Sequence, residues 1–106
     1  MSVYGYIRSA TGNAEQLEQQ RQHIRASFAE SQVPIAEFFE DYATGFFPPM
    51  DREGYGRMCE QLKEGDIVII ADLGRIARSA RLLGDALEWL KRRGVTVQLA
   101  NLDENR

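Results

Sequence analysis

Several kinds of chemistry are missing from this sequence. A single cysteine, Cys59, excludes an internal disulfide framework and a multi-cysteine metal site. A single histidine, His23, leaves no set of ligands of the kind zinc takes, so no metal and no cofactor is expected. No apolar run approaches the ~18 residues of a membrane span. The first residues, Met1 to Arg8, lack the basic start and apolar stretch of a secretory signal, so the expected location is the cytoplasm, away from membranes. Gly-x4-Gly-Lys-Ser/Thr, Gly-x-Gly-x-x-Gly and Gly-x-Ser-x-Gly are absent. No acidic cluster follows the first strand, which argues against a phospho-acceptor domain. Positive charge is also in deficit. Thirteen basic against sixteen acidic residues give a net charge of -3, which argues against a domain that grips nucleic acid by bulk charge.

The 106 residues that remain suffice for one domain with one modest core. Strand and helix patterns alternate along them. Val3 to Ile7 is short, aromatic and β-branched, as a first strand should be. Ala14 to about Gln32 is rich in helix formers and carries Leu17, Ile24 and Phe28 on one face. Pro34 is expected to stop that helix, with a strand over Ile35 to Phe39. Asp51 is the expected N-cap of a second helix, whose stripe is Tyr55, Met58, Cys59 and Leu62, with Gly65 as terminator. Ile67 to Ile70 reads as a central strand buried on both faces. Leu82, Leu83, Ala86, Leu87 and Leu90 mark a third helix, closed by Gly94, and Val95 to Leu99 a last strand. The β-α-β-α-β-α-β order predicts an α/β fold of three layers: a mostly parallel, four- to five-stranded sheet flanked by helices. Sites in such folds form at the carboxyl ends of strands. That directs attention to Arg8 to Gly12, Asp41 to Asp51, Ala71 to Arg81 and the tail after Ala100.

Arginine outnumbers lysine eleven to two. Its rigid, permanently charged fork suits bidentate phosphate contact. Arg8, Arg52, Arg75 and Arg78 all fall within or beside the expected site loops: Arg8 just after the first strand, Arg52 after the second loop, and Arg75 and Arg78 after the third strand. Arg81 extends the last group at a spacing of three, which on one helix would make the three neighbours. The plainer reading of Arg75, Arg78 and Arg81 is a solvated helical face, ion-paired with Asp72, Asp85 or Glu88. The adjacent Phe46 and Phe47, beside Pro48 and Pro49, are expected to pack over the domain edge, with an exposed partner patch as the other reading. His23 is expected at the surface, Cys59 in the core, and Trp89 at a core edge.

Taken as an ordered string, Tyr6-Ile7-Arg8-Ser9-Ala10-Thr11, Asp41-Tyr42-Ala43-Thr44-Gly45, Asp51-Arg52-Glu53-Gly54 and Leu73-Gly74-Arg75-Ile76-Ala77-Arg78-Ser79 resemble the catalytic domain of the serine site-specific recombinases, the resolvases and DNA invertases. The resemblance runs from Tyr4 to about Asn101, and Gln20 matches the polar helix after the first motif. It implies a resolvase-like fold and a reaction in which a serine hydroxyl attacks a DNA phosphodiester. A phosphoserine link forms, and strand exchange follows in a tetramer without metal or nucleotide. It also implies that Arg8, Arg52, Arg75 and Arg78 hold the phosphate, with Arg81 beside them, and that Asp41 matches an acidic position near the second loop.

Two departures stand out. The family pattern is Tyr-x-Arg-x-Ser, and this sequence has Ala10 where the nucleophilic serine belongs. Ser9 and Thr11 carry hydroxyls, but successive side chains of an extended segment point to opposite sides; Ser9 is the candidate substitute. The second departure is Gly74, where the family has an acidic residue before the arginine that matches Arg75, with Asp72 two residues earlier. Impaired cleavage is the resulting expectation for residues 1–106. The other reading is a non-catalytic resolvase-like module that pairs with and regulates an active recombinase. The long dimerising helix and helix-turn-helix domain of the family are not expected within this span. DNA binding is therefore expected to be weak, with homodimers or tetramers in the full-length context.

Overall fold

The computed structural model describes residues 1–100, so the tail after Ala100 singled out above lies outside the described residues. Four strands, β1 (Val3–Ser9), β2 (Ile35–Tyr42), β3 (Ile67–Ile70) and β4 (Thr96–Leu99), alternate with three helices, α1 (Ala14–Ser27), α2 (Glu53–Gln61) and α3 (Ala80–Arg92). Short 3-10 turns lie at Pro49–Asp51 and Leu73–Arg75. The sheet is wholly parallel, in the order β2-β1-β3-β4. It is the open α/β architecture the strand–helix alternation predicts.

Alternation along β1 sorts its residues into two cores. Tyr4 and Tyr6 join Val68 and Ile70 under α2 and α3, while Val3 and Ile7 join Ile69 under α1. Tyr6 meets Tyr55 of α2 edge-on, with ring centroids 5.1 Å apart, a favourable aromatic geometry. The connections leave β1 toward β2 on one side and reach β3 on the other. The crevice at the carboxyl ends of β1 and β3 is thus a topological switch point, where open parallel sheets place their ligands.

Three local expectations are corrected. The first helix ends at Ser27 rather than near Gln32. Its last turn closes through Phe28 N–H, which donates to the Ile24 and Arg25 carbonyls, and half-buried Phe28 and Val33 fold back onto the α1 core well before Pro34. β2 runs on to Tyr42, three residues further than expected.

Asp51 does not cap α2: it sits in a 3-10 turn, and Arg52 occupies the N-cap position without a side-chain cap. The cap comes from β2 instead. Asp41 Oδ1 accepts from Gly54 N–H at 2.7 Å and Oδ2 from Tyr55 N–H at 2.9 Å. Carboxylate charge at a helix N-terminus is favourable. Gly54 permits the approach, because a Cβ there would lie 2.2 Å from the Glu40 carbonyl oxygen.

Candidate functional site

β1 delivers Arg8 and Ser9 to the crevice on opposite faces. Arg8 turns toward the α2–α3 layer and is almost fully buried. Its Nε donates to the Arg75 carbonyl at 3.0 Å, Nη1 to the Ala43 carbonyl at 2.8 Å and Nη2 to the Gly74 carbonyl at 2.7 Å. No carboxylate pairs with it among the described residues. Burial, and then the positive charge of Arg52, push its pKa down from the ordinary arginine value; Tyr6 opposes them, and Arg75 and Arg78 add smaller decreases. A guanidinium held among other guanidinium groups in this way favours an anion nearby.

Gln20 of α1 fixes the backbone that carries Arg8. Its Oε1 accepts from Arg8 N–H at 3.0 Å and its Nε2 donates to the Arg8 carbonyl at 2.8 Å. The amide replaces a neighbouring strand at the point where β1 outruns its pairing with β3, which ends at Gly5. The sequence holds a signal for this role. Gln20 lies three residues after Leu17 and four before Ile24, on the buried stripe of α1, and a polar side chain at such a position needs internal partners.

A second network fixes Arg52. Tyr6 Oη donates to Asp41 Oδ2 at 2.7 Å and accepts from Arg52 Nη1 at 3.2 Å. Arg52 also donates to the Phe47 carbonyl from Nη2 at 2.8 Å and to the Arg75 carbonyl from Nη1 at 3.3 Å. Buried at this depth, the Tyr6 phenol is held well above its usual pKa, with Arg52 opposing and Asp41 adding to the rise. The motifs contain both Tyr6 and Asp41, but not the bond between them or the role it gives Tyr6; a tyrosine two residues before Arg8 on the same strand face is the cue the sequence holds.

After β3, Arg75 donates from Nη1 to the Arg8 carbonyl at 3.3 Å, and its Nε lies 3.5 Å from Asp72 Oδ2. The second distance is an ion pair without a hydrogen bond, and Arg75 Nε is otherwise unpartnered. Arg78 is exposed and makes no salt bridge among the described residues. Its backbone N–H donates to the Gly45 carbonyl at 2.9 Å, and its side chain lies across Gly45, where a Cβ would come within 2.2 Å of Arg78 Cγ. Gly74 has the same neighbour, since a Cβ there would lie 3.2 Å from Arg78 Nη1.

These elements enclose an open pocket of about 630 Å³ lined by Arg8, Ala10, Thr11, Arg75 and Arg78, with Gln16, Gln20 and His23 from α1 and Phe46 on the second loop. Two of the sequence-selected arginines fall elsewhere. Arg52 lines an adjoining cleft with Asp41 and Phe47. Arg81 lies in the first turn of α3 and does not line the arginine pocket. The spacing of three suggested one helix, but Arg75 ends a 3-10 turn and Ser79 starts α3 as its N-cap, accepting from Leu82 N–H at 3.3 Å, so the three arginines share no helical face.

Ser9 is fully buried on the α1 side. Its hydroxyl donates to Gln16 Oε1 at 2.9 Å and accepts from Asn13 N–H at 3.3 Å, and Ser9 does not line the pocket, whereas Ala10 does. The expected packing of Phe46 and Phe47 is also corrected. Both are exposed, at 67% and 44%, and only Pro49 of that loop is buried. His23 is exposed and bonds the Ala100 carbonyl through Nε2 at 2.6 Å, tying α1 to the end of β4. Among the described residues no group of three or more His, Cys, Asp or Glu side chains is placed to hold a metal ion, and no helix is long and apolar enough to cross a membrane.

Known proteins resemble this chain in sequence and in fold. A resolvase from Clostridium perfringens is 35% identical over 66 residues, which cover 62% of this chain and 34% of that protein. The transposon Tn2501 resolvase of Escherichia coli is 26% identical over 88 residues, 83% of this chain and 44% of that protein. The chain thus spans less than half the length of these relatives. The crystal structure of the C-terminal catalytic domain of ISC1926 TnpA, an IS607-like serine recombinase, superposes with a TM-score of 0.79 at 18% identity, covering 100% of this chain and 71% of that one. The sequence profile of the resolvase N-terminal domain matches residues 3–106, and the chain therefore belongs to that family, the catalytic domains of the serine recombinases.

Proposed function

We propose that this chain is a recombinase-type domain that seats a DNA backbone phosphate in the Arg8–Arg75–Arg78 pocket but does not form the phosphoserine link. The observation that carries the proposal is the placement of Ala10 at the pocket, with the Ser9 hydroxyl buried and committed to Gln16 on the other side of β1. Cleavage requires an oxygen that attacks phosphorus while a deoxyribose oxygen departs. The pocket offers positive charge for the crowded phosphate, which is the electrostatic part of such catalysis. It offers no serine at the matching position. Gly74 removes a second family feature, the acidic group beside Arg75. A resolvase-like module that binds or pairs without cutting accommodates both departures, and in a longer chain the partners are a second copy and DNA.

The test is incubation of this chain and of Ala10→Ser with nicked recombination-site duplexes, followed by a denaturing gel. The expected result is no adduct with the parent chain. A covalent adduct mapping to Ser9 or Thr11 overturns the proposal. In parallel, duplex binding is followed by anisotropy at several salt concentrations. Arg78→Ala should weaken binding and reduce the salt slope by about one phosphate's worth; unchanged binding overturns the phosphate seat.

A further inference from the structure

The second loop contributes a side chain that phosphate chemistry leaves unused. Phe46 is 67% exposed, yet it lines the same pocket as Arg8, Arg75 and Arg78. Exposing a phenylalanine to water is unfavourable, and here hydrogen bonds hold the loop backbone that presents the ring. Phe46 N–H donates to Thr44 Oγ1 at 3.0 Å, and Phe47 N–H donates to the Thr44 carbonyl at 3.1 Å. Arginines pin both flanks of the loop: Arg8 bonds the Ala43 carbonyl, Arg78 N–H the Gly45 carbonyl, and Arg52 the Phe47 carbonyl twice. Most of the other exposed large apolar side chains, Tyr42, Phe47, Met50 and Leu73, also sit in loops at the carboxyl end of the sheet or beside them. The guanidinium cluster and the aromatic thus share one edge of the domain.

An exposed ring presented by a bonded loop beside guanidinium groups is a combination that binds unpaired nucleotides: the cations take the backbone and the ring takes a base face. In a duplex both faces of a base are covered by its neighbours, so the ring has a partner only where a nucleotide is unpaired or splayed out. A net charge of -3 makes the same choice of ligand. A domain without bulk positive charge gains most from a contact that does not depend on charge. We propose that Phe46 is a base-stacking side chain, and that this domain prefers single-stranded or locally unpaired DNA to duplex. The inference rests on the phosphate-pocket reading above.

Three ligands of equal length separate the two readings: an oligothymidylate, an abasic strand with the same phosphates, and a duplex. Binding is measured by fluorescence anisotropy over a range of salt. The parent chain should bind oligothymidylate roughly tenfold tighter than the abasic strand. Phe46→Ala should abolish that preference while leaving the salt slope and abasic-strand binding unchanged, and Phe46→Trp should restore it. Phe46 is largely exposed, so these variants keep the fold, and circular dichroism checks that they do. Equal affinity of the parent for thymidylate and abasic strands, or a Phe46→Ala variant that keeps the preference, overturns the stacking role and leaves the phosphate pocket standing. No binding to any of the three ligands, or binding that Arg78→Ala leaves unchanged, overturns the phosphate reading and the inference with it.

Discussion

Replacing Asp41 by alanine removes one carboxylate and three hydrogen bonds: from Gly54 N–H at 2.7 Å, Tyr55 N–H at 2.9 Å and Tyr6 Oη at 2.7 Å. Each bond is charge-assisted, a class that contributes roughly 1.5–3 kcal/mol. The full sum overstates the loss, because α2 begins beside an open cleft and water can reach its first N–H groups. The Tyr6 hydroxyl lies deeper and keeps only Arg52 as a partner. A loss of about 3–4 kcal/mol is the consistent figure. That is a large share of the ~5–15 kcal/mol that holds a domain of this size together. The melting temperature should fall by roughly 12–25 °C. Urea unfolding followed by circular dichroism measures the loss directly, and the midpoint should fall with an unchanged slope. Asp41→Asn should lose less, since one amide oxygen still accepts, and Tyr6→Phe, which removes the bonds to Asp41 and Arg52 but leaves each of them other partners, should lose about 2 kcal/mol. In a double-mutant cycle, Asp41→Ala and Tyr6→Phe should couple. An Asp41→Ala protein within about 1 kcal/mol of the parent would refute the role of this carboxylate as the cap of α2.

Gln20→Leu keeps an apolar stripe on α1 but removes both bonds from Gln20 to the Arg8 backbone, leaving the Arg8 carbonyl only Arg75. It should cost about 2–3 kcal/mol in urea unfolding, and it should weaken phosphate-dependent DNA binding more than a surface change on α1 such as Gln22→Ala. Burial pushes the Cys59 thiol up to about 11 from the ordinary 9.0, with Arg93 opposing slightly. The folded state therefore keeps this proton over a range where the unfolded chain has lost it, and stability should fall as pH rises from about 9 to 11. Cys59→Ala should flatten that fall by about 2 kcal/mol in pH-dependent melts, leaving the further decline due to Tyr6 and Tyr55, both also raised by burial.

Residues that act through local pattern were legible in the sequence. The Ile67 to Ile70 run is a central strand, and Tyr55, Met58 and Cys59 face the core as their spacing predicts. Strand-end reasoning located the crevice and put Arg8, Arg75 and Arg78 in it. What was not legible depends on contacts between distant segments. The cap of α2 lies in β2, twelve residues before the helix starts, so the local candidate Asp51 drew attention from Asp41. Arg52 follows the second loop in sequence, and the Phe47 and Arg75 carbonyls draw its guanidinium inward. Ser9 and Ala10 are adjacent in sequence, but Ser9 ends β1 facing α1 while Ala10, just past the strand, lines the arginine pocket, and only the structure shows this.

Arg8 and Arg52 hold four carbonyl acceptors on the two loops that border the crevice, those of Ala43, Phe47, Gly74 and Arg75, through six hydrogen bonds, with Arg75 accepting from both. A donor that staples a loop is not free for a phosphate. Each contact an incoming anion makes with these two side chains beyond their spare N–H groups must release a staple, so ligand affinity and loop order draw on the same hydrogen atoms. The crevice is in this sense a competition between two sets of oxygens, those of the chain's own backbone and those of its ligand. A ligand that wins loosens the walls that received it, and the observed affinity is lowered by the free energy of that loosening.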